Sequence, residues 1–158
     1  MPIVLNEEPG AVFEALGDEE CFELIRGSRL GRVAIALGAV PAIFPVNYVA
    51  VDDAIYFATS RGTKLAAATR GATVAFEIDH FDFRYHQGWS VLAVGPCREV
   101  LDQESLRFVR GLPILPWAPG VRGHFVQLRP DFVSGRRVAF PHADEIAAEA
   151  GWRPDAQT

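Results

Sequence analysis

Ala42-Ile-Phe-Pro-Val-Asn-Tyr-Val-Ala-Val-Asp-Asp-Ala-Ile-Tyr-Phe-Ala-Thr59 is the stretch that decides the fold. Residues 42–51 and 54–59 are rich in β-branched and aromatic side chains. Asp52-Asp53 between them has turn chemistry, so the pair predicts two antiparallel strands. The same composition recurs at Val33–Leu37, Thr73–Asp79, Trp89–Val94 and His124–Arg129, with further turns expected at Gly38-Ala39 and Gly95-Pro96. Six short strands in succession predict a mainly β protein built as a closed or nearly closed antiparallel barrel. Pro45 has no N–H to give to a ladder, so its strand must be an edge, a bulge or an opening there. A barrel split at that point fits.

Working outward, Asp18–Ser28 has a helical pattern. Asp18 can cap, Glu19 and Glu20 suit the positive end, Gly27 sits at the stop, and Phe22, Leu24 and Ile25 form an apolar stripe. Short helices are also expected at Thr63–Arg70, ending at Gly71, and at Asp102–Arg110, ending at Gly111. Leu112-Pro-Ile-Leu-Pro-Trp-Ala-Pro-Gly120 must be a stiff, irregular loop. No repeat or low-complexity linker divides the 158 residues, so a single domain over 1–140 is expected, then a tail over 141–158 with a short helix at Ala143–Ala150.

Composition narrows the function classes. Hydrophobic residues make up 49% and charged residues 22%, which suits a globular core and argues against disorder. The net charge of −5 counts against general nucleic-acid binding. No apolar run reaches the roughly 20 residues of a membrane span. The first ten residues carry Glu7 and Glu8 and do not have the form of a secretory signal. Cys21 and Cys97 lack metal-ligand spacing and are expected as buried free thiols, so a reducing, cytoplasmic location is expected. Of 15 basic residues only Lys64 is a lysine.

The usual catalytic signatures are missing: no Gly-x-Ser-x-Gly, no paired-histidine zinc helix, no cysteine pair, no Gly-x-Gly-x-x-Gly. His80 and Asp82 share a strand face, but their spacing matches no recognised metal set, and Asp79–Gly88 has the look of a polar hairpin end. No metal is expected. The strongest candidate is Phe57-Ala-Thr-Ser-Arg-Gly-Thr-Lys-Leu65, where a strand ends in the hydroxyls of Thr59 and Ser60 and a short helix opens beside Arg61 and Lys64. Hydroxyls, free backbone N–H groups and two cations suit a phosphate dianion, and equally a capped helix with solvated charges. Asn47 stands among apolar neighbours on the proline-broken strand and needs a partner, either backbone or the edge of a planar heterocycle. Trp89 and Ser90 begin another strand, Trp117 lies in the stiff loop, and Ser134-Gly-Arg-Arg137 either contacts a ligand or closes a turn.

Taken together these residues resemble the pyridoxamine 5′-phosphate oxidase-like group, the flavin-binding split β-barrels, in a short actinobacterial-type form. The resemblance runs from about Leu30 to Val138. It rests on Gly31-Arg-Val-Ala34, Pro45-Val-Asn-Tyr48, Ile55-Tyr-Phe-Ala-Thr59 with Gly62-Thr-Lys-Leu65, Val74-Ala-Phe-Glu-Ile-Asp79, Gly88-Trp-Ser-Val91, Pro116-Trp-Ala-Pro-Gly120 and Ser134-Gly-Arg-Arg137, in that order and spacing.

The resemblance implies a six-stranded Greek-key split barrel, a homodimer, and FMN at the interface, serving an oxidoreductase of unassigned small-molecule substrate. It implies that Arg61 and Lys64 hold the phosphate, that Val46, Asn47, Ala58 and Thr59 lie along the isoalloxazine and ribityl groups, that Ser60 also binds the cofactor, and that Trp89, Ser90 and Arg136 approach it. A compact ammonium suits a phosphate, which gives Lys64 a role. True pyridoxamine 5′-phosphate oxidases end in a basic, histidine-containing segment. Here Val138-Ala-Phe-Pro-His-Ala-Asp-Glu145 follows instead, so the resemblance does not carry vitamin B6 oxidation with it. Two alternatives keep the fold: a deazaflavin F420-dependent reductase, and a non-catalytic module binding flavin or haem, with His80, His86 or His124 as axial ligand.

Overall fold

The computed structural model describes residues 12–60, 65–66, 69–115 and 124–140. Ten elements follow in chain order: β1 (Val12–Leu16), α1 (Asp18–Gly27), β2 (Leu30–Leu37), β3 (Val40–Val51), β4 (Ala54–Thr59), β5 (Thr73–Asp82), β6 (Gln87–Glu99), α2 (Gln103–Arg110), β7 (His124–Leu128) and β8 (Phe132–Ala139). Strands β6-β5-β2-β3-β4-β7 pair in that order, and β7 returns to β6, which closes a six-stranded antiparallel barrel. The crossing from β4 to β5, on the far side of β2, gives the Greek-key path. β8 and then β1 continue the sheet outward from β6.

The six barrel strands are the six expected, with longer ends. β5 runs on to Asp82 and β6 starts at Gln87, so the hairpin tip is short. It is also not polar: Phe83 and Tyr85 are exposed there beside Phe81. Two further strands escape the sequence reading. β1 is a short edge, and β8 contains the Ser134-Gly-Arg-Arg137 run, which is therefore strand and not turn. Gly95-Pro96 is likewise no turn. It lies inside β6, at the point where that strand leaves β8, last paired at Val94, and takes up β7, from Cys97 onward.

β3 changes partner in the same way, which gives the barrel its two corners. Residues Val40–Asn47 pair with β2, and Tyr48–Val51 pair with β4. Pro45 falls in the half that pairs on one side only, so the missing N–H is harmless and the expectation of an edge holds.

Alternation along each strand fills the interior. Val33 and Ile35, Val46 and Tyr48, Ile55 and Phe57, Phe76 and Ile78, Val91 and Ala93, and Val126 and Leu128 are all buried in one cluster. This is the period of two that puts every second side chain on one face. α1 adds Cys21 and Ile25 to that cluster, and Tyr48 stacks edge-on against Phe76 at 4.8 Å. The α1 N-cap is Gly17, without a side-chain cap, and Asp18 is the first helical residue instead of the cap. A second small core joins Ala54 and Tyr56 of β4 to Val100 and to Val109 of α2, so β4 is covered on both faces. The expected helix at Asp102–Arg110 starts one residue later, and Asp102 is its cap, accepting from the Ser105 N–H at 2.8 Å, which holds its carboxyl below the usual range. Both cysteines are free and buried.

Of the expected helix at 63–70, Leu65 and Ala66 are helical and Thr69 N–H donates to the Leu65 carbonyl at 3.0 Å. The loop at 116–120 with Trp117, and the tail after Phe140, lie outside the described residues.

Candidate functional site

The corner in β3 creates an opening. The β3–β4 ladder ends at the pair Tyr48↔Phe57. Continuing that register by one and two residues sets Asn47 against Ala58 and Val46 against Thr59, where no pairing exists. Both strands keep their outer neighbours: Asn47 pairs with Leu30 and Val46 with Gly31, while Ala58 pairs with Phe125 and Thr59 with His124. Two strand edges therefore face each other across a split, each with backbone groups that the barrel does not use. Four of the expected contact residues border it. Val46 and Thr59 are buried, and Asn47 and Ala58 are half-buried.

A second feature lies along the sheet. Trp89, Ser90 and Arg136 line one groove of about 250 Å³ together with Phe13, Asp79, His80, Phe81 and Val138. Ser90 is the cross-strand partner of both Asp79 and Arg136. Extending the β2–β5 pair Arg32↔Glu77 by two residues brings Leu30 level with Asp79. Since Leu30 pairs with Asn47, one transverse row joins Asn47, Leu30, Asp79, Ser90 and Arg136. Opposed residues of an antiparallel pair share a face, so this row connects the split to the groove.

The electrostatics of that row are largely internal. Arg32 donates to Asp79 at 2.9 Å and to Glu77 at 3.1 Å, and the Asp79 bond foremost raises the guanidinium above its usual range. Burial pushes the Glu77 carboxyl up. Arg137 is committed elsewhere, donating to Glu20 at 2.7 Å and Glu14 at 3.2 Å. Arg136 carries no ion pair among the described residues and so presents the groove's available positive charge. His80 packs near Trp89, ring centroids 6.2 Å apart. His86 sits at the hairpin tip with a positive φ of 47°.

The sequence-predicted set thus divides in three. Trp89, Ser90 and Arg136 meet in the groove; Val46, Asn47, Ala58 and Thr59, followed by Ser60, border the split and are not groove-lining; Arg61 and Lys64 lie outside the described residues. Among the described residues no three metal-ligating side chains gather. Among the described residues no helix is long and apolar enough to cross a membrane. One residue across β4 from the split was weighed only as an axial haem ligand and not as part of a flavin site. His124, opposite Thr59, is buried, and its alternation with Val126 and Leu128 in His124-Phe-Val-Gln-Leu128 was the signal that could have placed it inward.

A six-stranded barrel parted along one ladder defines the split-barrel class. Residues 17–137 match the family described as pyridoxamine 5′-phosphate oxidase, and the chain belongs to that family. The uncharacterized protein Rv0080 of Mycobacterium tuberculosis is 34% identical over 128 residues, 78% of this chain and 84% of that one. Among solved structures, the FAD binding protein from Mycobacterium smegmatis is similar at 34% identity and a TM-score of 0.71, covering 80% of this chain and 98% of the other. An FAD-binding protein from Mesorhizobium loti, 22% identical with a TM-score of 0.67 over 80% of this chain and 98% of its own, shares the fold.

Proposed function

We propose that this protein is a flavin-nucleotide-dependent oxidoreductase that works as a homodimer, with FMN as the cofactor and a small organic molecule as substrate. The observation that carries the reading is the split between Val46-Asn47 and Ala58-Thr59, continuous through one strand row with a groove bearing Trp89, Ser90 and Arg136. The residues fit a flavin nucleotide. Unladdered backbone edges suit the donors and acceptors on the edge of a planar heterocycle, and Trp89 offers an aromatic surface in the groove. Ser60, Arg61 and Lys64 follow directly along the chain with the chemistry of a phosphate site.

Bound there, a flavin would supply hydride transfer, which needs no protein nucleophile. The chain's own work would be orientation and tuning. Backbone groups along the split would fix the ring edge, Arg136 would favour negative charge near the groove, and the Arg32–Asp79 pair would keep the carboxylate from opposing it. Apolar side chains left exposed on the sheet, among them Leu30 at 45% and Ile43 at 66%, support a second copy covering this face.

The similar protein of Mycobacterium smegmatis is described as binding FAD, so FAD stands beside FMN as the nucleotide to test. The test is the visible absorption spectrum of the purified protein during titration with FMN, FAD and F420. Retained flavin bands or tight FMN or FAD uptake support the reading. Selective F420 uptake converts it to a deazaflavin reductase. A Soret band, or no uptake of any flavin, removes it.

A further inference from the structure

β7 opens on His124, a histidine only 4% exposed. It stands opposite Thr59, beside the last residue of β4 before Ser60-Arg-Gly-Thr-Lys64. Its Nδ1 lies 3.0 Å from Glu99 Oε1, off the line a hydrogen bond needs. Its Nε2 has no hydrogen-bond partner among the described residues. The other Glu99 oxygen is 3.7 Å from Arg70 Nε. A polar ring taken out of water with a nitrogen unsatisfied is unfavourable, and a bound partner relieves it.

The surroundings select the kind of partner. Glu99 lies against one ring nitrogen and is itself countered by Arg70, which leaves the second nitrogen to a ligand. A metal ion would call for a third ligating side chain, and none is grouped here among the described residues. The hydroxyl of Thr59, and the hydroxyl and cations that follow it in the chain, favour an anion.

We propose that His124 is a phosphate ligand of the cofactor site, with its Nδ1 turned to Glu99 and its Nε2–H donating to a phosphate oxygen of the bound flavin nucleotide. The proposal rests on the flavin reading above and assigns to it a residue on the far side of β4 from the split.

FMN and riboflavin differ only in the phosphate, so their affinities, read by fluorescence quenching, isolate this contact. His124→Leu is expected to weaken FMN binding about tenfold or more, the scale of a hydrogen bond to a charged group, and to leave riboflavin binding unchanged. His124→Gln, which keeps an N–H donor, is expected to retain most of the FMN affinity. Equal losses for both ligands, or no loss, overturn the proposal and make His124 structural or a water ligand. Should the leucine variant not fold, imidazole nitrogen NMR of the wild-type protein decides. The His124 signals must move with FMN and stay with riboflavin, and any other pattern overturns the proposal. Wild-type protein that takes up no flavin overturns the functional reading and this proposal with it, whereas uptake with indifference to His124 overturns the proposal alone.

Discussion

Tyr48 is fastened at the end of α1 and just beyond it: its hydroxyl donates to the Ile25 carbonyl at 2.7 Å, and its backbone N–H donates to the Arg29 carbonyl at 3.0 Å. The ring is buried against Phe76, and burial pushes the phenol well above its usual range. Tyr48 is also the last β3 residue paired to β4 before the split. The helix end, the barrel core and the mouth of the site therefore meet at one side chain.

Removing only the hydroxyl tests that joint. Tyr48→Phe keeps the ring and leaves the Ile25 carbonyl only the long 3.4 Å bond from the Ser28 N–H, so it should lower stability by about 1–2 kcal/mol. Urea unfolding should show a lower midpoint with an unchanged slope. An unaltered midpoint would mean that α1 is held by apolar contact alone.

The corner in β6 makes a steric prediction. A Cβ on Gly95 would stand 2.2 Å from the Arg129 carbonyl oxygen and 2.8 Å from Pro130 Cα, both backbone atoms. Gly95→Ala should destabilise by about 3 kcal/mol, at the upper end of overpacking, because β6 and the backbone linking β7 to β8 must part. Gly38→Ala provides the contrast, with open space around its Cβ and only a positive φ of 63° to oppose it. It should cost about 1–2 kcal/mol. Thermal unfolding of both variants checks the order, and a reversed order would contradict the corner geometry.

On the cofactor side, Arg61→Ala and Lys64→Ala should each weaken FMN binding by about 1.5–3 kcal/mol, as for hydrogen bonds to a charged group. Both should leave riboflavin binding nearly intact. Isothermal titration with the two flavins measures this, and unchanged FMN affinity in both variants would remove the phosphate assignment.

Alkaline stability should report on Cys97. Burial pushes its thiol up to about 12, while an unfolded chain ionises near its ordinary value of 9.0. The folded state then holds the proton more tightly. Its contribution to stability is complete below about pH 8.5 and is lost as pH rises toward the folded value, at up to about 1.4 kcal/mol per pH unit. Urea midpoints between pH 8 and 11 should fall more steeply for the wild type than for Cys97→Ala. Parallel curves would contradict the burial of the thiol.

Sequence reading reached the barrel because its strands carry their own signal. Val33, Ile35, Phe76, Ile78, Val126 and Leu128 alternate with outward residues, and that pattern survives any neighbour. β8 was hidden because Ser134-Gly135 has turn chemistry, while the strand owes its shape to eight paired positions along β6. Gly95-Pro96 misled for the same reason: close approach to Arg129, and not a reversal of the chain, requires the glycine. At the site, motif spacing picked out Trp89, Ser90, Asn47 and Thr59, but no spacing could announce that the β3–β4 ladder stops at Tyr48. His124 was read only as an axial haem ligand, and not as part of a flavin site, because its neighbours Thr59 and Glu99 are distant in sequence and become neighbours only through β-pairing.

β6 belongs to both sheets, with Gln87–Val94 laced to β8 and Cys97–Glu99 to β7. Neither sheet can then peel away and leave the other standing, since each uses the same backbone as its seam. The two halves of the molecule must be lost together, in a single cooperative transition. The amides around Val91 and Ala93, flanked by strands on both sides, will be the last to exchange their hydrogens with solvent.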